Sequence, residues 1–187
     1  MRLVLVILLF LLPSLSSADT ELDNMIESYE LQKSGDYLNN QELASLSHEI
    51  GIRLLANKKY GSAITYFKTA LEIAQNIDIN DPYLGGRWTY LGQAYTFDGQ
   101  INNGLQSLQR ALQIDEQHYP SGHLYIGISH GNLGWALIRS RNYRMANEHL
   151  KIACAIFSTE LGENHPQTLD CDKKMSVTLK HLNNKQQ

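Results

Sequence analysis

Apolar residues recur in this chain at steps of three and four, within segments of helical length separated by short polar breaks. Leu22, Met25, Ile26 and Tyr29 form the first stripe, inside 19–32, and Ser34-Gly35-Asp36 breaks it. The next stripe, between Asn40 and Asn57, carries Ile50, Gly51 and Leu54. A turn at Lys58-Lys59 separates it from Tyr60, Ala63, Phe67, Ala70 and Leu71. The same two-part pattern returns as Trp88, Leu91, Gly92 and Tyr95, a turn at Asp98-Gly99, and then Gly104, Leu108 and Ala111. It returns once more as His130, Leu133, Gly134 and Leu137, followed by Tyr143, Ala146, Leu150 and Ala153. A last stripe, with Leu169, Met175 and Leu179, is predicted to continue the first-helix seam to about Leu182. The pattern predicts an all-α chain: a leading helix, three helical hairpins and a closing helix.

The hairpins hold one register. Gly51, Gly92 and Gly134 lie 41 and 42 residues apart, and Tyr60, Ile101 and Tyr143 keep the same offsets, as do Ala70, Ala111 and Ala153. Asp81-Pro82, His123-Leu124 and His165-Pro166 fall 42 apart. Proline 82 suits the first turn of a helix, where its missing N–H has no partner to lose. Small residues kept in a column mark places where two helices approach closely, with larger side chains opposite filling the groove.

Trp88-x-x-Leu91-Gly92-x-x-Tyr95 resembles the tetratricopeptide (TPR) signature W-x2-L-G-x2-Y at every specified position. Ala63-x-x-x-Phe67-x-x-Ala70 resembles the second-helix pattern of that family, A-x3-F-x2-A. The repeat of about 42 residues exceeds the usual 34 and is similar to the extended subclass of kinesin light chains, as is the connector Leu161-Gly162-Glu163-Asn164-His165-Pro166. The resemblance implies a right-handed α-solenoid over 43–182, with repeats near 43–78, 81–118 and 122–161 and a capping helix at 166–182. Residues 19–42 would be the leading helix and linker, and 183–187 a flexible tail.

The N-terminus follows a different pattern. Arg2 precedes ten unbroken apolar residues, Leu3 to Leu12, then Pro13 and Ser16-Ser17-Ala18. This is the layout of a secretory signal peptide cleaved after Ala18. Ten helical residues reach about 15 Å, half of the roughly 30 Å hydrocarbon core, which disfavours an uncleaved span. Export to the periplasm or to the outside is therefore expected, with no stable membrane insertion after cleavage. The 16 basic and 19 acidic residues give a net charge of -3, which leaves no footprint for nucleic acid.

Export changes the meaning of the two cysteines, Cys154 and Cys171, because an oxidising compartment permits a bridge. Helices over 143–160 and 167–182 packed antiparallel would bring the two residues to the same height. A disulfide and a pair of buried thiols are both compatible with that register.

The sequence carries little that points to chemistry. His118, His123 and His130 have no cysteine or acid beside them at zinc-ligand spacing, and no nucleophile elbow, P-loop or dinucleotide fingerprint occurs. His130 falls in the Trp88 column, where packing is its expected role. Asp115-Glu116 is read as following a helix end and facing water. No catalytic residue, metal or cofactor is expected.

What remains is surface. In the family resembled, the first helices line the concave face. Residues beside the packed seam there are Asn132, Trp135 and Arg139, one repeat earlier Thr89, Tyr90, Gln93 and Phe97, and one earlier again His48 and Ile52. An aromatic and amide groove of this kind suits a protein or peptide partner; packing of Phe97 and Trp135 between repeats is the other reading. The resemblance implies a scaffold. A structural subunit of an envelope or secretion assembly, working through the convex face or helix 20–33, and an enzyme with an unrecognised site are the alternatives. Asn132 alone matches the carboxylate clamp of some TPR domains, whose lysines are missing. Oligomeric state is not encoded in any of these features.

Overall fold

The computed structural model describes residues 17–34 and 39–184. The expected signal segment up to residue 16, the Gly35-Asp36 break and residues 185–187 lie outside the described residues. Those described form eight helices and no strand: α1 (Ser17–Ser34), α2 (Asn40–Ala56), α3 (Tyr60–Ile77), α4 (Leu84–Phe97), α5 (Ile101–His118), α6 (Leu124–Arg139), α7 (Tyr143–Leu161) and α8 (Pro166–Asn183).

Each hairpin turns in the same way. Lys58, Gly99 and Arg141 occupy the left-handed region, with φ of 58°, 83° and 61°. At each turn the next amide reaches back to the helix: Lys59 N–H to Leu54 O, Gln100 N–H to Tyr95 O and Asn142 N–H to Leu137 O. These bonds occupy carbonyls that a helix C-terminus otherwise leaves open. Entry into the first helices is also repeated. Asp81 Oδ1, His123 Nδ1 and His165 Nδ1 each accept from the amide two residues on, which explains why this column keeps a side-chain acceptor. In repeat two Pro82 precedes the helix instead of opening it: Leu84 N–H and Gly85 N–H bond to Asp81 O and Pro82 O, a tight turn that delays α4 to Leu84.

The glycine column sets the hairpin spacing. A Cβ on Gly51 would stand 2.6 Å from Phe67, one on Gly92 2.6 Å from Leu108, and one on Gly134 2.7 Å from Leu150. Ala70, Ala111 and Ala153 are fully buried on the facing helices. Beyond the hairpins each second helix packs on the next first helix, α3 on α4, α5 on α6 and α7 on α8; the backbones of α2 and α4, α4 and α6, and α6 and α8 also approach, whereas among the described residues those of α3 and α5, and of α5 and α7, stay apart. First helices form the inner row and second helices the outer, so the stack curves with its concave side on α2, α4, α6 and α8.

The ends are closed differently. α1 packs on α2 and buries Leu22 and Tyr29, each worth about 1.5–3 kcal/mol. Tyr29 meets Tyr66 of α3 edge-on at 5.4 Å, and Arg53 bonds Glu21 at 3.0 Å. At the other end α8 departs from the seam anticipated for it. Thr168, Cys171 and Thr178 are its buried residues, and Met175 packs beside them. Leu169 and Leu179 are 53% and 41% exposed. Leu169 stands in the column of Gly127, which faces α7 within its own hairpin; α8 has no such partner among the described residues. Cys154 and Cys171 are joined in a disulfide with a Cα–Cα distance of 5.5 Å, tying α7 to α8.

Gly92→Ala is expected to cost roughly 1–3 kcal/mol through overpacking against Leu108. Gly61→Ala, with nothing within 4 Å of its would-be Cβ, should be neutral or stabilising by up to ~1 kcal/mol. Urea midpoints of the two variants check the contrast. Cys171→Ala should cost about 2–4 kcal/mol, with faster amide exchange confined to α8. Protection equal to the parent over 166–183 would show that the bridge does not hold this helix.

Candidate binding face

The inner face separates into two regions. At the C-terminal ends of the first helices lies a ring ladder. Phe97 stacks on Tyr60 of α3 at 5.5 Å and meets Trp135 of α6 at 4.7 Å, and the Arg139 guanidinium sits 5.8 Å from the Trp135 ring. Both readings of these aromatics hold at once: the rings pack across the repeat boundary, and Phe97 still keeps 43% exposure.

Closer to the helix starts the arrangement is polar. Gln93 donates from Nε2 to Asn132 Oδ1 at 2.9 Å, and Asn132 Nδ2 donates to Ile128 O at 3.0 Å. The Asn132 amide is therefore engaged inside the groove wall. Thr89 is buried rather than displayed. Tyr90 and His48 pack together, ring centroids 5.1 Å apart, and both rest against Phe67. Ile52 is half-buried against the same cluster. Of the nine residues singled out on this face, Phe97 and Arg139 are exposed, Trp135, Gln93, Asn132, Tyr90, His48 and Ile52 are partly covered, and Thr89 forms part of the wall.

Two of the clefts that open from the solenoid bear on binding. One, of about 400 Å³, lies on the inner face between α4 and α6 and is lined by Tyr83, Thr89, Tyr90, Gln93, Asp115 and Tyr125 among others. The other, of about 800 Å³, lies on the outer face between α3 and α5, with Trp88, Leu91 and Tyr95 on its floor and amide and charged side chains on its rim.

Asp115 departs from the sequence reading. α5 continues through His118, so the residue lies within the helix and is only 4% exposed. Its Oδ2 accepts from Ser129 Oγ at 2.5 Å, and a Cβ on Gly85 would stand 2.2 Å from Oδ1. Gly85 is thus small because a carboxylate occupies the space beside it. Burial raises the Asp115 pKa above the usual carboxylate value, opposed by the Ser129 hydrogen bond and by His123 and His118. The signal that would have found it is the register: Asp115 stands in a buried column with Ala74 and Phe157.

His130 is buried as its column suggested, with Nδ1 2.8 Å from Nδ1 of His149. That contact requires one ring to carry the proton and the other to accept it. Among the described residues no three His, Cys, Asp or Glu side chains converge as a metal site, and no helix is long and apolar enough to cross a membrane.

The family model described as Tetratricopeptide repeat matches residues 88–118, which is the α4–α5 hairpin with the Trp88 and Gly92 motif. No curated protein matches the chain in sequence. Solved structures do match in fold. The nearly identical TPR-like repeats of a kinesin-light-chain-like protein of Podosopora anserina superpose with a TM-score of 0.72 at 19% identity, covering 90% of this chain and 81% of that one. BtubC (BKLC) of P. vanneervenii gives 0.68 at 15% identity, over 89% and 72%. The Sgt2 TPR domain of Aspergillus fumigatus gives 0.58 at 18%, over 75% and 79%. The chain has the tetratricopeptide repeat fold, in the long-repeat form that its period of about 42 residues called for. Solenoids of this kind act as interaction scaffolds.

Buried histidines give the fold a pH dependence, His48 and His130 most strongly, with His149 also lowered by burial. Burial, and then the charge of Arg87, holds His48 down at about 4; burial, and then His149, holds His130 at about 4 as well. The unfolded chain takes up protons at 6.5 that the folded chain refuses until about 4, so stability is full above pH 6.5 and declines as pH falls through that window. The loss should reach a few kcal/mol in all, on the order of 1.4 kcal/mol per pKa unit at most. Urea midpoints at pH 7 and pH 5 measure it, and a His48→Gln, His130→Gln double variant should show a smaller drop than the parent. An equal drop would place the titration elsewhere.

Proposed function

From a solenoid of tetratricopeptide repeats with a continuous inner groove, we propose that the protein is an exported scaffold that holds a protein or peptide partner along its first helices. The Phe97–Trp135–Arg139 cluster carries this reading. It offers large, rigid rings with a cation beside them, and such groups dominate the energy of protein interfaces. Both rings are fixed by neighbours, Phe97 by Tyr60 and Trp135 by Phe97 itself, so little side-chain entropy is lost on binding. The signal-like N-terminus and the disulfide support export, to the periplasm or beyond the cell. The role needs no catalytic group, metal or cofactor.

The outer cleft favours a second reading, a structural subunit of a larger assembly. Its floor includes Trp88, whose buried Nε1 has no hydrogen-bond partner, and its rim is rich in glutamine and asparagine.

A Phe97→Ala, Trp135→Ala double variant separates the two. Capture is made from the exported fraction of the native source, and the intact mass of the recovered chain is read at the same time; it should begin at Asp19. The double variant should keep parental helicity and lose partner binding by roughly 30-fold or more, the scale of two aromatic anchors. Undiminished capture by the folded variant would reject the inner groove and leave the outer cleft.

A further inference from the structure

The inner cleft contains a feature that a general protein-binding groove does not require. At the starts of α4 and α6, and against the end of α5, Asp115 faces a recess walled by Tyr83, Tyr119 and Tyr125. Tyr119 and Tyr125 meet edge-on at 4.9 Å, and Tyr119 stacks on His123 at 4.4 Å. Tyr83 is 71% exposed and forms the outer wall. Burial raises the Tyr119 pKa above its ordinary value, and the Asp115 and Asp81 carboxylates add to the shift. The recess thus sets tyrosine rings around one buried carboxylate.

Among the described residues Asp115 has no ion-pair partner, and His123 and His118 act on it only from beyond ion-pair distance. The ion pairs among the described residues are Arg53–Glu21, Arg53–Glu49 and Lys174–Asp170. Arg87, on the same helix as Tyr83's neighbour Leu84, donates instead to Ala44 O at 3.3 Å. Ser129 gives the carboxylate one hydrogen bond, and the nearby helix starts give partial positive charge. A carboxylate so deeply buried is ordinarily paired.

We propose that this recess is the specificity pocket of the groove and takes an arginine side chain from the partner. The proposal rests on the inner-face reading above. A guanidinium matches the chemistry: its plane stacks on tyrosine rings, and its fork of donors reaches a carboxylate and further acceptors together. Gln93 and Gln167 line the same cleft and supply amide oxygens. Gln93, Ile128 and Gln167 also line the next recess, which continues to Asp170 and Lys174. An extended segment anchored by arginine at Asp115 can thus run on along α6 and α8. A carboxylate-bearing peptide, which a lysine clamp would take, meets like charge here.

The test is an NMR titration of the oxidised chain with acetyl-arginine amide, and in separate arms with the lysine, citrulline and glutamate counterparts. Arginine should shift resonances of Tyr83, Tyr125 and Ser129 and bind about tenfold more tightly than citrulline, which keeps the shape and loses the charge. Asp115→Asn keeps an acceptor for Ser129 and should erase the difference between arginine and citrulline. Tyr125→Ala, at a half-exposed wall residue, should weaken arginine without disturbing the helical spectrum. Equal binding of arginine and citrulline, preference for glutamate, or an unchanged preference in Asp115→Asn would overturn the proposal. Lysine binding as tightly as arginine would overturn the guanidinium assignment. If arginine fails while the Phe97→Ala, Trp135→Ala variant still loses its partner, the pocket assignment falls and the groove stands; if capture survives that variant while arginine still binds, the inner-groove reading falls and the recess stands as an isolated arginine site.

Discussion

The close approach of the two helices in each hairpin governs everything else. It depends on one missing Cβ per repeat, at Gly51, Gly92 and Gly134, with Phe67, Leu108 and Leu150 filling the space left. That contact lets a second helix lie along a first over its whole length. The left-handed residue at Lys58, Gly99 or Arg141 then reverses the chain within a few residues. Stacking follows, because a hairpin packed this way still has apolar edges to cover on its neighbours. Curvature follows in turn, since the inner helices touch and the outer ones do not.

Most of this was legible in the sequence because it repeats. A column of small residues, a column of turn residues and a column of capping acceptors each recur at 41 or 42 residues, and recurrence separates a structural demand from coincidence. The features that were not legible are those that break the repeat. Asp115 was assigned to water because acids usually face it, although its column holds Ala74 and Phe157. Leu169 and Leu179 continue the first-helix spacing and so read as seam residues, although among the described residues α8 has α7 before it and no hairpin partner after it. Local residue character is a weaker guide than register where the two disagree.

The candidate site was legible in outline only. Register placed Phe97, Trp135, Gln93 and Asn132 on one face, and the structure brings each pair into contact across the repeat boundary. It could not say that Thr89 would be enclosed or that His48 would be clamped between Phe67 and Tyr90. Those outcomes depend on side chains from three helices at once. The pocket at Asp115 likewise draws on α4, α5, α6 and α8 and leaves no local signature.

The unequal contact of the two helix rows has a mechanical side. Each hairpin is joined to the next chiefly where its second helix lies on the following first helix, α3 on α4 and α5 on α6. The outer cleft of about 800 Å³ is thus the gap left between successive second helices, floored by the first helix that both of them pack on. The disulfide between α7 and α8 locks the last joint of this row.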